Sequence, residues 1–447
     1  MKQSFLIIII LLLPFSLWSQ EKTISTGGFV RGSIYLSTDD YRYNINSVAG
    51  DASFNLSATD NLHFKGFADF RFRTGQQFGE TVNYPDLHEA WAMYYNDKIS
   101  LSFGKKIIKW GKTDFFTPLS KFNPVNYLYR TPDKEDTDMG NLLAEITLTP
   151  LPGFSLSFVT APLWNPSVLM TSPLELPPYI KINLPEGLQA GNKGFSYGLK
   201  GDLTLKRTDI SLQWYHGPDP MPGLQLTTAM LTDPNNIYLE MTGIPYNINI
   251  AGADFESALS AVVIRGSVSY LKPVREKAGN EEVPFPQVEW VAGIDWTPGS
   301  FRLTAEYSGK KVIDFYNPAV ESLIGKEIDF AELAQQMMLS GLDPAEFARL
   351  QTEGFNRLYN YQLKENYHSA GLKAEYEMFY GKLTPSVTTM YNFTTKDLVL
   401  LPQLKFKPAD AITFCAGMEY YSGPDKSLYD LVEEFMSAAF FSVRLDF

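Results

Sequence analysis

Three motifs in the sequence contain residue types that could do chemistry, but each lacks the context that the chemistry requires. The segment Gly194–Gly198 has the Gly-x-Ser-x-Gly spacing of a nucleophile elbow, yet it continues at strand period with no helix after it. Gly111, Lys112 and Thr113 end like a phosphate-binding loop, but lysine occupies position 106, where that loop needs glycine. The four histidines show no metal-ligand spacing. We therefore expect no catalytic residues, no metal and no cofactor.

Charged residues on the polar face of alternating segments are better candidates for function. Basic residues concentrate in the first part of the chain and acidic ones in a later part, so in a barrel they would face each other across the lumen. Two interpretations stay open: charged walls that screen permeants, or structural ion pairs inside a closed barrel. The candidate pore-lining or substrate-contacting residues are Arg31, Lys65, Arg71, Arg73, Lys106, Trp110, Asp69, Glu289, Asp295 and Glu306.

The elements that would position these residues are strands, because apolar and polar residues alternate from end to end. In residues 439–447, Phe441, Val443 and Leu445 face one way while Ser442 and Arg444 face the other. Such strands could also belong to a soluble sandwich or propeller, but we find no repeat of about 40 residues that would mark propeller blades. The outward faces are also too uniformly apolar and aromatic for a sheet in water. We predict an all-β fold, a transmembrane antiparallel β-barrel of about 18 strands (16–18).

Alternating connection lengths support the barrel, since membrane barrels pair short periplasmic turns with long outer loops. Short turns are predicted near residues 59–61, 96–98, 150–153, 206–207, 256–257, 297–299, 380–382 and 407–410. Long outer connections are predicted at residues 39–47, 74–85, 111–137, 164–190, 217–245, 272–285, 313–364 and 422–434, with one short outer turn near Thr394. With a first strand starting near Gly28, both ends of the barrel lie on the periplasmic side.

The N-terminus has the pattern of a secretory signal peptide. A basic start and an apolar run too short to span a bilayer predict a signal peptide at residues 1–19, leaving residues 20–447 as the barrel. The expected location is the outer membrane of a Gram-negative (diderm) bacterium. The expected partners are membrane lipids, the outer-membrane assembly machinery and a small-molecule permeant. The formal net charge of −12 and the lack of a polybasic segment argue against nucleic acid.

Residues 313–364 form the longest outer connection and contain two helix signals. Asp329 can cap a first amphipathic helix ending near Gly341, and Asp343 with Pro344 can start a second one ending near Gly354. We therefore predict a helical extracellular insertion. It could pack on the rim, act as a lid or plug over the mouth, or dock a partner.

The densest motif runs from Lys105 through Trp110 and Gly111 to Asn123 and Pro124. It resembles the strand-end block of a porin-like outer-membrane family of obscure function, in which a Gly-Lys or Gly-Arg strand ends in Trp-Gly and an Asn-Pro loop follows. A second point of resemblance is a turn at residues 253–255 that leads into the strand with Arg265 and Tyr270. The resemblance implies an outer-membrane barrel with a transport-like role and no catalytic residues.

The position of Trp110 admits two interpretations. It could anchor the barrel at the membrane interface, as exposed aromatics do, with solvated lysines around it. Alternatively, its loop could fold inward and narrow the pore.

Three functional hypotheses follow from these observations. The first is a porin-like channel or transporter for small molecules, the second a closed barrel serving as receptor or structural scaffold, and the third an outer-membrane enzyme. The third would need converging Ser, His and acidic groups at one rim, which the strand register does not supply.

Overall fold

A computed structural model describes residues 23–38, 44–169, 173, 180–190, 194–231, 237–274, 280–317, 335 and 339–447. The predicted signal peptide lies outside these described residues, and so does most of the first predicted helix, which Asp329 was expected to cap. Among the described residues, no helix is both long enough and apolar enough to cross a membrane.

Eighteen strands form one sheet. They are β1 (Thr23–Ser37), β2 (Ile45–Thr59), β3 (Phe64–Gln77), β4 (Glu80–Tyr95), β5 (Ile99–Lys106), β6 (Asn141–Leu151), β7 (Phe154–Ala161), β9 (Ser196–Thr204), β10 (Thr208–Pro218), β13 (Asn247–Leu259), β14 (Val262–Pro273), β15 (Gln287–Trp296), β16 (Phe301–Val312), β17 (Asn366–Tyr376), β18 (Leu383–Asn392), β19 (Leu398–Ala409), β20 (Ile412–Ser422) and β21 (Ala438–Asp446). A separate three-stranded sheet contains β8 (Ile180–Asn183), β11 (Gly223–Leu231) and β12 (Ile237–Ile244). Two α-helices, α1 (Pro344–Tyr359) and α2 (Leu428–Met436), and a 3-10 turn (Lys134–Thr137) complete the described elements.

The large sheet closes on itself, because its first and last strands pair. Every neighbouring pair is antiparallel, and β1 pairs with β2 on one side and β21 on the other. Arg31, for example, lies opposite Asp51 in β2 and opposite Arg444 in β21. Closure leaves no free sheet edge to pair with another chain. The predicted eighteen-stranded antiparallel barrel is confirmed.

The two faces of each barrel strand differ as their alternation predicts. In β10, Ile210, Leu212 and Trp214 are exposed on the outside, while Ser211 and Gln213 are buried inside. Leu212 is 65% exposed and Phe103 in β5 is 62% exposed. An apolar belt of this extent exceeds the patches that soluble proteins normally expose, and it matches the band that membrane barrels present to hydrocarbon.

Several predicted connections are wrong. Residues 74–85 are not a long loop: β3 and β4 stay paired up to a two-residue turn at Phe78 and Gly79, both with positive φ. The polar residues of this hairpin are typical of a loop, which is why the sequence predicts one. A strand pair above the membrane keeps its backbone hydrogen bonds, and its side chains can be polar because they meet water on both faces. Residues 256–257 and 253–255 are paired within β13, and the turn to β14 lies at Ser260 and Ala261. The first strand begins at Thr23 rather than near Gly28.

The outer connections contain more ordered structure than expected. Helix α1 starts as predicted, because the Asp343 carboxylate accepts hydrogen bonds from the backbone N–H groups of Ala345 and Glu346. It continues through Gly354 to Tyr359, so the predicted stop at Gly354 is wrong. Helix α2 and the sheet of β8, β11 and β12 were not predicted. The Asn356 side chain binds α1 to the backbone of Leu224 and to the carbonyl of Glu281, which joins three outer connections.

Candidate functional site: a constriction inside the barrel

Residues 107–140 connect β5 to β6, and we call them the inner segment because they fold into the barrel. They form no long helix or strand, so contacts with the barrel wall must hold them in place. The side chain of Asn123 accepts from the N–H of Ile108 and donates to its carbonyl, which joins the two limbs of the segment at their base. The inner segment then contacts the wall in three main areas and, in addition, through Arg130.

The first area is the tip of the segment, which reaches Glu306 in β16. The Glu306 carboxylate accepts hydrogen bonds from the backbone N–H groups of Asp114, Phe115 and Phe116, at 2.6, 3.0 and 3.3 Å. The Asp114 carboxylate in turn lies 2.8 Å from the guanidinium of Arg265. Glu306, a predicted site residue, therefore holds the tip of the inner segment from the opposite wall.

Gly371 in β17 allows this close approach. A Cβ atom at Gly371 would lie 2.7 Å from the ring of Phe115, closer than real Cβ contacts. The tip of the inner segment thus crosses the lumen from β5 to β17.

The second area is an apolar cluster around Trp110, which is only 5% exposed. The Trp110 ring contacts Phe122 edge to face, at 4.9 Å between centroids, and Phe122 contacts Tyr215 of β10 in the same way at 4.8 Å. Both Trp110 and Phe122 pack where a Cβ atom on Gly198 would lie. Interfacial anchoring of Trp110 is therefore wrong, and the inward-folded loop is the arrangement found.

The third area is the basic part of the wall. Two carboxylates of the inner segment, Asp133 and Asp136, lie 3.2 and 2.7 Å from the guanidinium of Arg31, whose side chain is fully buried. Asp136 also contacts Arg71 at 3.2 Å, and Asp133 contacts Lys405 at 3.1 Å and Arg444 at 3.4 Å.

The wall itself supplies further carboxylates to the same arginines. Asp51 lies 3.2 Å from Arg31 and 3.0 Å from Arg73, and Asp69 lies 2.9 Å from Arg71.

Arg130 attaches the inner segment to the outer end of the barrel, where α2 lies. Its guanidinium lies 2.6 Å from the Glu419 carboxylate of β20 and donates to the carbonyls of Phe435 and Met436 at the end of α2. The same guanidinium stacks on the ring of Tyr35, 4.8 Å from its centroid. Helix α2 and the inner segment are thus held by one side chain.

The structure brings only part of the predicted site together. Arg31, Arg71, Arg73 and Asp69 form the network just described. Lys65 and Lys106 lie apart from it, on either side of the Trp91 ring at 5.7 and 5.6 Å.

The remaining predicted residues mostly have local partners. Lys106 binds Glu145 at 2.5 Å, Glu289 binds Lys310 at 3.0 Å, and Asp295 contacts Arg265. Much of each predicted charged wall is therefore neutralised locally. That these ten residues contact a permeant stays a prediction.

Sequence reasoning missed the residues of the inner segment that hold it, above all Asp133, Asp136 and Arg130. One signal was available: the run Asp133, Lys134, Glu135, Asp136 places three acids in four residues of a connection that starts beside a Trp-Gly strand end. Within the described parts of the chain, no cluster of three or more His, Cys, Asp or Glu side chains is arranged to hold a metal ion.

The charge state of Asp133 predicts how the constriction responds to acid. Burial acts to raise the pKa of Asp133, but Lys405, Arg31 and Arg444 outweigh it and hold the pKa below the ordinary value of 3.8. A depressed pKa means that Asp133 contributes its stabilisation above that ordinary value, and that this contribution is lost as the pH falls further. We expect the conductance difference between the wild type and Asp133→Asn to be constant from pH 7 to about pH 4.5 and to shrink below about pH 4, as measured in planar bilayers.

Asp138 provides the control for this experiment, because burial raises the pKa of its carboxyl group. A conductance change between pH 7 and 5 that disappears in Asp138→Asn would assign the response to Asp138. A difference between the wild type and Asp133→Asn that changes between pH 7 and 5, with or without Asp138→Asn, would contradict the prediction.

No model of a known protein family matches the sequence, and no curated protein matches it. Solved structures do match over nearly the whole chain. Pseudomonas aeruginosa OpdK, solved with vanillate, superimposes with a TM-score of 0.54 at 9% identity, over 95% of this chain and 98% of that one. Pseudomonas aeruginosa OccD3 (OpdP) superimposes with a TM-score of 0.52 at 11% identity, over 95% of this chain and 91% of that one. A BenF-like porin from Pseudomonas fluorescens Pf-5 superimposes with a TM-score of 0.52 at 8% identity, over 96% of this chain and 98% of that one. At these identities the likeness establishes a shared fold.

Proposed function

We propose that the chain is an outer-membrane channel that passes small polar molecules through a lumen narrowed by the inner segment. The observation that carries the proposal is the position of that segment, which crosses from β5 to Glu306 and returns to Arg31. Polar contacts hold the segment at its tip and on its returning limb, so it narrows an aqueous passage without filling all of it with an apolar core. The fold shared with solved porins is in keeping with this function. The proposal includes no catalytic activity.

The exposure of charged side chains inside the barrel supports a water-filled lumen. Arg302 and Lys373 point inward near the periplasmic end, and their side chains are 58% and 43% exposed. Both contact Glu375, at 3.1 and 2.9 Å. A closed interior would bury such groups, as it buries Arg31. Lys65, with Trp91 beside it, offers a further contact for a permeant.

The location and processing are part of the proposal. The apolar belt suits a bilayer, and residues 1–19 suit a signal peptide that directs export; the outer-membrane assembly machinery is the expected partner during insertion. Trp110–Gly111 and Asn123–Pro124, the strand-end motif, fit a porin-like family, and in this chain they lie at the start and the return of the inner segment.

Planar-bilayer conductance tests the proposal, with the ion selectivity measured at low salt. We expect discrete conductance steps from the purified, inserted protein. Replacing Arg302 and Lys373 with Gln leaves Glu375 without its two partners, so the selectivity should shift towards cations. The shift should shrink as the screening length falls from about 10 Å at 0.1 M salt to about 3 Å at 1 M.

The matched control replaces Lys98 and Lys206, two exposed lysines of the periplasmic turns, with Gln. It makes the same change in net charge outside the lumen, and its selectivity should stay close to that of the wild type. Equal shifts in both variants would show that the lumen charges do not act on permeating ions. An inserted protein without conductance would instead favour a closed barrel that serves as receptor or scaffold.

A further inference from the structure

A group of basic residues lies on the outward face of the barrel at its outer rim, and we call it the rim arc: Lys272, Lys311, Lys364 and His368. Lys272 in β14 is exposed and shares the outward side with Tyr270, which is 43% exposed. Lys311 in β16 lies opposite Val288 and shares the outward side with Tyr307, which is 40% exposed.

The four residues lie on or beside three strands of the outer rim. In the β16–β17 ladder, Lys311 lies opposite Asn366, His368 lies two residues after Asn366, and Lys364 is exposed in the connection just before β17. β15 alone separates β14 from β16, and the ladder places Tyr270, Val288 and Lys311 side by side. Lys272, two residues beyond Tyr270, is therefore about 12 Å from Lys311 at the usual strand spacing and rise. The rim arc is a local group of cations that spans more than a single phosphate group.

Aromatic side chains fix the level of the rim arc relative to a bilayer. On the same face, Tyr270 lies two residues further towards the membrane than Lys272, and Trp290 lies two residues below the level of Lys311. Tyr307 lies four residues below Lys311 and two below the level of His368. Tyrosine and tryptophan concentrate at the boundary between hydrocarbon and headgroups. The cations just beyond them thus lie at the level of the headgroups of the outer leaflet.

His368 is held in a defined orientation within the arc. Its ring stacks on Tyr307 with 6.1 Å between centroids, and Nδ1 lies 2.6 Å from the Tyr307 hydroxyl. When the hydroxyl donates to Nδ1, the proton of the imidazole is on Nε2, which then serves as a donor. A fixed N–H on the same rim as three ammonium groups adds a donor suited to phosphate oxygens.

The charge of the rim arc runs against that of the chain, whose formal net charge is −12. Among the described residues, two acids are nearby: Glu365 lies 3.7 Å from Lys311, with both side chains about half exposed, and Asp314 is exposed after β16. They reduce the excess of positive charge without cancelling it. On the other side of the barrel, Ile45, Thr74 and Gln76 are exposed and uncharged positions near the same rim.

We propose that the rim arc binds the phosphate groups of an outer-leaflet lipid. The inference rests on the proposed outer-membrane location, because only there does the rim meet such headgroups. Because each lysine near an anionic lipid surface adds to the attraction, removing three should weaken binding at least tenfold at low salt.

The test measures the thermal unfolding of the full-length mature protein in detergent, as a titration with diphosphorylated lipid A. The variant carries Lys272→Gln, Lys311→Gln and Lys364→Gln. We expect lipid A to raise the unfolding temperature of the wild type, and the variant to need at least tenfold more lipid for the same shift. Lipid A without its phosphates should act weakly and equally on both proteins. Inorganic phosphate at the same concentration should have no effect, since it lacks the acyl chains that the belt below would hold.

The matched control replaces three exposed lysines of the periplasmic turns, Lys98, Lys206 and Lys382, with Gln. It should respond to lipid A as the wild type does. Equal responses of wild type and rim-arc variant, or an equal loss in the control, would overturn the proposal. Conductance of the wild type separates the lipid proposal from the proposed function. A wild type that conducts but responds to lipid A no more than the variant refutes only the lipid site, whereas a wild type that never inserts refutes the proposed function as well.

Discussion

Replacing Arg31 with Met should lower the stability of the folded barrel by about 3–5 kcal/mol, the usual cost of breaking a buried ion network from one side. The Arg31 side chain is fully buried and contacts three carboxylates, those of Asp51, Asp133 and Asp136. Methionine fills a similar volume but leaves these carboxylates short of a partner in a poorly hydrated place. The measurement is the temperature at which the folded band converts to the unfolded band in detergent gels.

Arg302→Met is the matched control, because Arg302 also pairs with a carboxylate in the barrel but is largely exposed. Exposed pairs contribute at most about 1 kcal/mol, so this variant should unfold close to the wild-type temperature. Similar unfolding temperatures for the two variants would mean that the network around Arg31 does not stabilise the barrel.

The double variant Asp133→Asn, Asp136→Asn should release the returning limb of the inner segment and raise the single-channel conductance. The two carboxylates make five contacts within 3.4 Å with Arg31, Arg71, Lys405 and Arg444. A hydrogen bond to a charged group contributes about 1.5–3 kcal/mol, so losing two or three of them costs roughly 3–6 kcal/mol. A shift of about 5.5 kcal/mol is enough to turn a 99:1 docked population into a 1:99 one.

Glu135→Gln provides the control within the same turn. The Glu135 side chain is 86% exposed and approaches only Lys109, at 3.4 Å. Its replacement removes one negative charge from the segment but no contact with the basic wall, so the conductance should stay at the wild-type value. An assembled double variant with unchanged conductance would show that the inner segment does not limit the passage, or that its other two contact areas suffice to hold it.

The barrel could be predicted from the sequence because each strand separates lipid from water, and this contrast leaves a period of two in the chain. Phe441 and Arg444, for example, are assigned to their faces by alternation alone. The hairpin at residues 74–85 could not be recognised, because above the membrane both faces of a strand meet water and the period disappears. Its turn residue Phe78 is instead buried, 5.9 Å from Phe435 of α2.

The constriction was harder to predict than the barrel. The basic residues Arg31, Arg71 and Arg73 were identified from their strands, but their partners lie in an irregular connection whose direction no periodicity reveals.

Gly198 and Gly371 show a related difficulty. In the sequence they are unremarkable strand glycines, and only the packed structure shows that Trp110 and Phe115 occupy the space above them. Contacts between distant segments depend on shape as well as residue type.

The pairing of β1 with β21 has a consequence for biogenesis. Phe29 lies opposite Asp446, so the closing seam joins residues more than four hundred positions apart in the chain. Contacts of such long range form late and slowly, since the intervening chain must be ordered first. Until they form, the nascent sheet has two unpaired edges that invite aggregation. After synthesis, the incomplete sheet must therefore be shielded until its two edges meet. The pairing of β21 with β1 ends this period.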